Sequence, residues 1–549
     1  MNVSEVSQEV SAVMPQRAPA VAPSNKPPCV AVVGAGIAGL TAAYRLMREG
    51  MIVTVFEAAT VVGGRMGDRR EGDIAFNSGA RLVYPFGVDF HRLVADLGLT
   101  EIMLPLRGLS ATCVAPGGQH LIELMPSYRS LLTPGLGLGE RLGLIRHALQ
   151  MRAAKNKVSP DWANSAMALN PAYDDMTLAD YIRDALGPNV LKQMVEPVFR
   201  ATRSFNPETI SALFYLSTVP HLVGEEAVYT LRGGMGTVCH ELAQQLNVRT
   251  DMSVKSIEQN ARVSSGAFVS NAVASVGSSL DSHIGSSHSS GARSSASMTV
   301  RFANGGAEDF DYVICAVEGS LARDLVSAPQ PAEKAMLERV QYNELGVVHY
   351  GYAKPLPPMM HFATRESPSR IATYQQLPAA PAQGRPLTQI YCQLTPEAAD
   401  EAREKGLTEN LDVLLREALQ KCLPDFDANV VSVVNQWIPR KLPIFSLGYG
   451  RALQDFWQWQ EAPERAAPGA NRTVGMGSKG DAASGDAQSG SSSIADTGAL
   501  SERPLVYCGD WTAQALLTGA CASGERAAKI IMDRVSRIGQ SQRLPARAA

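Results

Sequence analysis

The first legible pattern begins at Cys29. Residues Cys29 to Val33 are an unbroken apolar run, which fits a strand buried on both faces. From Ile37 to Glu49 the apolar positions recur at helical spacing, with Leu40, Ala43, Tyr44 and Met47 on one face, and Gly50 is placed to end the helix. Met51 to Phe56 is apolar and β-branched again. The pattern predicts strand, helix, strand in immediate succession.

Further along, "VRTDMSVKSIEQNARV" and "MTVRFANGGAEDFDYVICAVEG" alternate as short strands do, with a turn at Asn304-Gly305-Gly306 and a buried strand in "YVICAV". Two stretches break the patterning: 264–297 and 466–498 are dominated by Ser, Gly and Ala. Neither offers enough apolar surface to offset the entropy of ordering it, so both are expected to be flexible surface insertions. With them set aside, nucleotide-type segments lie at both ends of the chain and mixed material lies between. That predicts an α/β protein with a discontinuous Rossmann-type domain and an inserted α+β domain: 29–95, 225–330 and 503–536 for the first, 96–224 and 331–460 for the second.

Composition narrows the picture. The chain has 549 residues, too many for one simple core, with 45% hydrophobic and 19% charged residues. A net charge near −3 gives no bulk argument for nucleic acid or for an anionic membrane as a partner. The eight scattered cysteines include no C-x-x-C pair, which argues against a disulfide framework and a zinc site and fits a reducing, cytoplasmic setting. Residues 1–28 lack a basic region followed by an apolar run, so they are expected to be a disordered lead rather than a signal peptide. No run of 18 apolar residues marks a spanning helix.

The turn between the first strand and helix carries Gly34, Gly36 and Gly39 at G-x-G-x-x-G spacing. The first glycine permits a tight turn. The second lets backbone approach a pyrophosphate at the helix N-terminus, where free N–H groups and the helix dipole favour anions. The third lets helix and strand pack closely. Glu57 ends the second strand, placed to accept hydrogen bonds from ribose hydroxyls and to repel a 2′-phosphate.

The continuation "EAATVVGGRM", from Glu57 to Met66, resembles the extended FAD fingerprint of the superfamily of monoamine oxidases, protoporphyrinogen oxidases and phytoene desaturases. Four further segments carry the resemblance: "FNSGARLVYP" (with Asn77 where an acid is usual), "TLRGGMGTVCHELAQQL" with "DMSVKSI", "DYVICAVEGS", and "VYCGDWTAQALLTGACASGERAAKII". It implies noncovalent FAD in contact with Gly34, Gly36, Ile37, Ala38, Gly39, Glu57, Gly64, Arg65, Gly79, Ala80, Val254, Gly509, Asp510, Thr518 and Gly519. Within that set, Arg65 is expected to wrap the pyrophosphate, where a guanidinium can bind phosphate with two prongs. Val254 is expected to meet the adenine through its backbone, and Asp510 to take a ribityl hydroxyl. The helix after Gly519-Ala520 is expected to point its N-terminus at the flavin, stabilising negative charge on the reduced ring.

The branch is read from two departures. Amine oxidases of this superfamily usually carry a lysine near the flavin, where the spacing to Pro355 places Gly346, and a cage tyrosine, where Leu516 stands. "EPVFRATRSFNPETISALFYL" and "QWIPRKLPIF" resemble instead the protoporphyrinogen oxidase and desaturase branch, whose substrates are large and apolar. The expected reaction is therefore hydride abstraction from a largely apolar small molecule, with oxygen or a quinone as electron acceptor and no assigned catalytic base. An amine oxidase releasing hydrogen peroxide and a redox-neutral flavin isomerase or mutase are the alternatives, and a non-enzymatic flavin-binding partner is the weakest.

Three smaller features stay open. Residues 137–157 place Leu142, Leu144, Ile145, Leu149 and Met151 beside Arg141, Arg146, Arg152, Lys155 and Lys157. Such a helix can lie on a membrane surface or serve as a lid with one buried face, and the lid is the preferred reading. Tyr449, Phe456, Trp457 and Trp459 either line a substrate pocket or pack a domain. His349 and His361 are polar candidates near a substrate.

Overall fold

In the computed structural model, residues 27–260, 297–382, 385–461 and 503–541 are described. The N-terminal lead up to residue 26, and all but the edge residue Ser297 of the two Ser/Gly/Ala-rich segments, lie outside them.

Strands β1 (Cys29–Val33), β2 (Ile52–Phe56), β3 (Asn247–Arg249), β4 (Tyr312–Cys315) and β5 (Leu505–Tyr507) form one sheet in the order β5-β4-β1-β2-β3. Every pairing is parallel, and the register sets Val33 beside both Phe56 and Cys315. Residues after the strands, Gly34, Glu57, Ala316 and Gly509, therefore share one edge. The strand order reverses at β1, and in such sheets the crevice beyond the carboxyl ends at that point is where ligands bind.

Helix α1 (Ile37–Arg48) is buried nearly all round from Ile37 to Tyr44, not along one face as its spacing predicts. The cause is a second covering layer: the C-terminal helix α4 (Leu517–Ser541) lies against it. The approach is close, since a Cβ on Gly524 would come within 2.3 Å of the Ala38 carbonyl oxygen. Gly50, at φ +82°, follows the helix end as expected.

The flanks of both composition-biased segments meet. Val254–Gln259 pairs antiparallel with Met298–Phe302, closed by the Asn260 N–H donating to the Ser297 carbonyl at 2.9 Å. The turn at 304–306 forms as read, with Gly305 at φ +91° and the Asn304 side chain accepting from the Gly306 N–H. Across the second gap, the Gln460 side chain accepts from the Tyr507 N–H at 2.6 Å.

The second layer is a seven-stranded sheet, in the order Val430–Ile438, Leu345–Tyr352, Arg385–Leu394, Ile371–Ala382, Met359–Ala363, Ser110–Ala115, Gly118–Glu123. Its pairings are antiparallel except where Met359–Ala363 meets Ser110–Ala115. One face packs on helices Pro396–Glu404 and Asp412–Cys422 in a core of its own, around Val348, Tyr350, Leu394, Leu415 and Phe426. Helices α2 (Leu138–Ala154) and α3 (Glu196–Arg203), with their neighbours, join the main core under the parallel sheet, where Met151 and Phe199 belong to the same cluster as Val32 and Val313. Tyr449, Phe456, Trp457 and Trp459 are buried in that core, and Trp457 Nε1 donates to the Thr512 carbonyl, so they pack rather than line a pocket.

Helix α2 has one buried face, to which the half-buried Leu144 adds its packing on the main core. It buries His147, Met151 and Ala154, while Leu138, Leu142, Ile145 and Leu149 are 45–75% exposed and form a single stripe on its outer side. Among the described residues, no helix is long and apolar enough to cross a membrane.

Candidate functional site: a cavity across the sheet edge

A cavity of about 850 Å³ runs from the carboxyl edge of the parallel sheet to the inner face of the seven-stranded sheet. Thirteen of the fifteen residues predicted to hold the cofactor line it: Gly34, Gly36, Ile37, Ala38, Glu57, Gly64, Arg65, Gly79, Ala80, Val254, Gly509, Asp510 and Thr518. Gly39 and Gly519 do not, and both serve packing behind the wall. A Cβ on Gly39 would lie 2.1 Å from the Gly34 carbonyl oxygen, and one on Gly519 would lie 2.4 Å from that of Gln514.

At the sheet end the backbone forms a cradle. Gly34 stands at φ +106°, with a Cβ there 2.9 Å from the Ala316 carbonyl oxygen. Gly36 caps α1 with no side chain on the first-turn N–H groups and with open space where its Cβ would be. Unsatisfied helix N–H groups facing a cavity are what a pyrophosphate requires. Glu57 is fixed by its own turn: one carboxylate oxygen accepts from the Ala35 N–H at 2.8 Å, the other from the Ala59 N–H at 2.9 Å. Val254 joins it at the same end with Met252 and Ser253. The chain therefore fits a dinucleotide laid along the edge from Glu57 towards Asp510.

Arg65 lines the cavity and is paired within the chain. Its two terminal nitrogens donate to the two Asp510 oxygens at 2.7 and 2.8 Å, and Nη1 also donates to the Lys441 carbonyl. These bonds occupy the terminal edge of the guanidinium and leave its Nε edge, while the backbone cradle offers the pyrophosphate N–H groups of its own. Burial alone would lower the Arg65 pKa, but the Asp510 charge outweighs it and the guanidinium is held protonated. Helix α4 also begins earlier than read, at Leu517, which places Thr518 and Gly519 inside its first turn.

Asn77 explains its departure from the usual acid. Its side-chain oxygen accepts from the Gly79 N–H while its amide donates to the carbonyls of Met66 and Gly67, a double service a carboxylate cannot give. Gly79 permits a close crossing, with a Cβ there 2.9 Å from the Arg65 carbonyl oxygen. The Gly-Gly-x-Gly segment lies instead against Asp68, whose carboxylate accepts from the Gly236 N–H.

The far half of the cavity is mostly apolar, walled by Leu82, Leu106, Leu109, Leu124, Met360, Phe362, Leu377 and Leu516. Gly346 is not on this wall. A Cβ there would point into the second core, 2.6 Å from Leu394 Cδ1, and its strand neighbours Leu345 and Val347 line a separate, smaller cavity. A lysine does line the cavity, but from another segment: Lys441, 7% exposed, donates to the Thr202 carbonyl and the Ser204 hydroxyl. Burial, then the charges of Arg81 and Arg203, push its pKa well below the usual lysine value.

Arg81, Arg203 and Gln375 were likewise not singled out from sequence. Arg203 and Lys441 sit in stretches quoted for family likeness, but nothing local joins positions 238 residues apart. His349 lines a separate cavity of about 180 Å³ with Asn77, Arg81 and Tyr391, and His361 lines neither. All eight cysteines are unpaired, and no group of metal-ligating side chains occurs among the described residues.

A parallel sheet with a glycine cradle and a terminal acid, opening into an apolar chamber, is the architecture of a dinucleotide-binding protein. The sequence model of the flavin containing amine oxidoreductases matches residues 37–532, and the chain belongs to that family, whose cofactor is a flavin. Protoporphyrinogen oxidase 2 of Arabidopsis thaliana is 24% identical over 186 residues, and coproporphyrinogen III oxidase of Mycobacterium bovis 27% identical over 185. Each match spans about a third of both chains: 33% of this one, and 34% and 38% of the relatives. A putrescine oxidase solved with putrescine shares the fold, with TM-score 0.61 and 16% identity over 93% of this chain and 100% of that one.

Proposed function

We propose that the protein holds FAD noncovalently and removes a hydride from a largely apolar small molecule, creating a C=C or C=N bond, with oxygen or a quinone taking the electrons. The observation that carries this reading is the continuity of the cavity, in which a nucleotide cradle opens directly into an apolar chamber.

FAD, when bound, supplies the hydride acceptor. The chain's own residues do the rest. The Gly36–Ala38 N–H groups would hold the pyrophosphate, Glu57 would hold the adenosine ribose, and Arg65 would fix Asp510 for the ribityl chain. The first turn of α4, with Thr518, lines the cavity and would meet the flavin pyrimidine, where a helix N-terminus favours developing negative charge. Leu106, Leu109, Leu124, Phe362 and Leu516 exclude water around the substrate. The cations on the same wall disfavour an amine substrate, which supports the desaturase or porphyrinogen-oxidase type of reaction over the amine oxidase type.

A second element of the proposal concerns where such substrates are met. The exposed Leu138, Leu142, Ile145 and Leu149 stripe, flanked by Arg141, Arg146 and Arg152, suits the surface of an anionic bilayer.

The test of the catalytic reading is anaerobic. A yellow preparation is mixed in turn with polyenes, pyrrolic precursors and amines, and flavin bleaching is followed. Bleaching by an apolar non-amine supports the reading, and bleaching by amines alone overturns it. Hydrogen peroxide release in air distinguishes an oxidase from an isomerase.

A further inference from the structure

The cavity wall is divided by charge. Its acids are Glu57, Glu318 and Asp510, which follow strands of the parallel sheet, and Asp324, in the helix Gly319–Leu325 after β4. Asp510 is already neutralised by Arg65. In the chamber beyond, three cations converge: Arg81, Arg203 and Lys441. None of them forms an ion pair with a carboxylate of the described residues; their partners are neutral. Arg81 donates to the Gln375 side-chain oxygen at 2.8 Å and lies 4.1 Å over the Tyr391 ring. Arg203 donates to the Tyr84 hydroxyl at 3.0 Å and lies 5.0 Å over the Phe214 ring. Lys441 is held by a carbonyl and a hydroxyl.

Gathering like charges in an enclosed apolar space is costly unless a counter-charge arrives. Aromatic faces and neutral acceptors orient the guanidinium groups without satisfying their charge, which leaves N–H donors for an incoming anion. We propose that Arg81, Arg203 and Lys441 form a subsite for a carboxylate of the substrate, so that the molecule oxidised is apolar along most of its length and anionic at one end. This rests on the reading of the chamber as a substrate site and names the class of molecule it takes. The two arginines supply charge-assisted, two-pronged bonding, and Lys441, tied through its backbone carbonyl to Arg65, couples the anchored end to the frame that holds Asp510.

The experiment is calorimetric and needs no turnover. The purified protein is titrated with octanoate, 1-octanol and octylamine, three probes of one chain length. Octanoate is expected to bind at least about tenfold tighter than the alcohol, the worth of a hydrogen bond to a charged group, and octylamine weakest of the three. Arg81→Gln and Arg203→Gln are each expected to remove most of the preference for the acid while leaving 1-octanol affinity within about threefold. Octanoate that fails to bind, that binds within threefold of 1-octanol, or that binds more weakly than octylamine overturns the subsite. The two readings fail separately. A colourless protein that still prefers octanoate would remove the flavin reading and keep the subsite; a yellow protein indifferent to the carboxylate would do the reverse.

Discussion

Arg65 and Asp510, 445 residues apart, meet in a two-pronged ion pair with both bonds shorter than 2.9 Å. The contact joins the first glycine-rich turn to the final strand-to-helix turn, and so closes a site whose halves lie at opposite ends of the chain.

Breaking that pair leaves a carboxylate, 6% exposed, without its partner. Arg65→Met is expected to lower stability by about 3 kcal/mol in urea unfolding, in the range for a buried pair stripped of one member, and to lower flavin occupancy as purified. Arg65→Lys keeps the charge but not the fork and should restore only part of both. A Met variant as stable as the parent would contradict the closing role.

Glu57 holds its own turn with the same two oxygens that are proposed to meet the ribose. Glu57→Ala frees the Ala35 and Ala59 N–H groups and removes the ribose acceptor, so FAD added to apoprotein should bind about tenfold more weakly. Fluorescence quenching of FAD measures this directly, and unchanged affinity would remove Glu57 from the site.

Gly346 is a packing residue. Gly346→Ala sets a methyl 2.6 Å from Leu394 Cδ1 and 3.1 Å from Leu411 Cδ1, an overpacking that should cost about 1–3 kcal/mol. The flavin absorbance spectrum should not change. A perturbed spectrum with unchanged stability would place this position on the flavin after all.

Much of the cofactor half was legible because its signals are local. Glycine spacing, strand runs and Glu57 are set within about thirty residues, and the same turn chemistry recurs wherever a helix N-terminus meets a phosphate. The chamber was not legible in the same way. Arg81, Arg203, Gln375 and Lys441 come from four segments, and only the fold brings them together. Gly346 shows a different limit: a count along the chain gives a position but not the face it takes, and in a strand one residue reverses the face. Arg65 shows another limit, since the fingerprint locates the side chain but not the Asp510 carboxylate that pairs with it. Helix α2 was marked correctly as basic and apolar, but sequence could not say which face the core had left uncovered.

His349 confers acid sensitivity. Its ring is 3% exposed, bonded through Nε2 to the Gln436 side-chain oxygen and through Nδ1 to the Gln389 amide, an arrangement that suits the neutral ring. Burial first, with the nearby Arg81 charge, pushes its pKa down to about 4. The unfolded chain, near 6.5, then binds the proton more readily across the interval, so this contribution to stability is present above pH 6.5 and lost as pH falls towards 4. Between pH 7.5 and 5 the loss should be about 2 kcal/mol. His147, lowered to about 4 by burial, adds a slope of the same sign. His349→Gln should therefore flatten the pH dependence of the urea midpoint without abolishing it, and an unchanged slope would show that the ring is not buried neutral.

Helix α2 gives the last expectation. Leu138, Leu142, Ile145 and Leu149 lie within one narrow sector of the helix at 75, 59, 45 and 65% exposure, and Leu132 and Tyr128 just before it are 71 and 74% exposed. A patch of this kind on a protein in water is an interaction surface or an aggregation hazard. The neighbouring charges favour the first: Arg141, Arg146 and Arg152 flank the stripe, and a basic residue at an anionic membrane surface is worth about 1 kcal/mol. Flotation with vesicles containing phosphatidylserine at low salt should carry the protein upward, and neutral phosphatidylcholine vesicles should carry less. Leu142→Gln with Leu149→Gln should lose binding to both, because those variants remove the apolar contact. Arg146→Gln with Arg152→Gln should lose only the anionic preference and its salt dependence, because the stripe remains. A protein that stays at the bottom of the gradient with both vesicle types would leave the stripe to a protein partner instead.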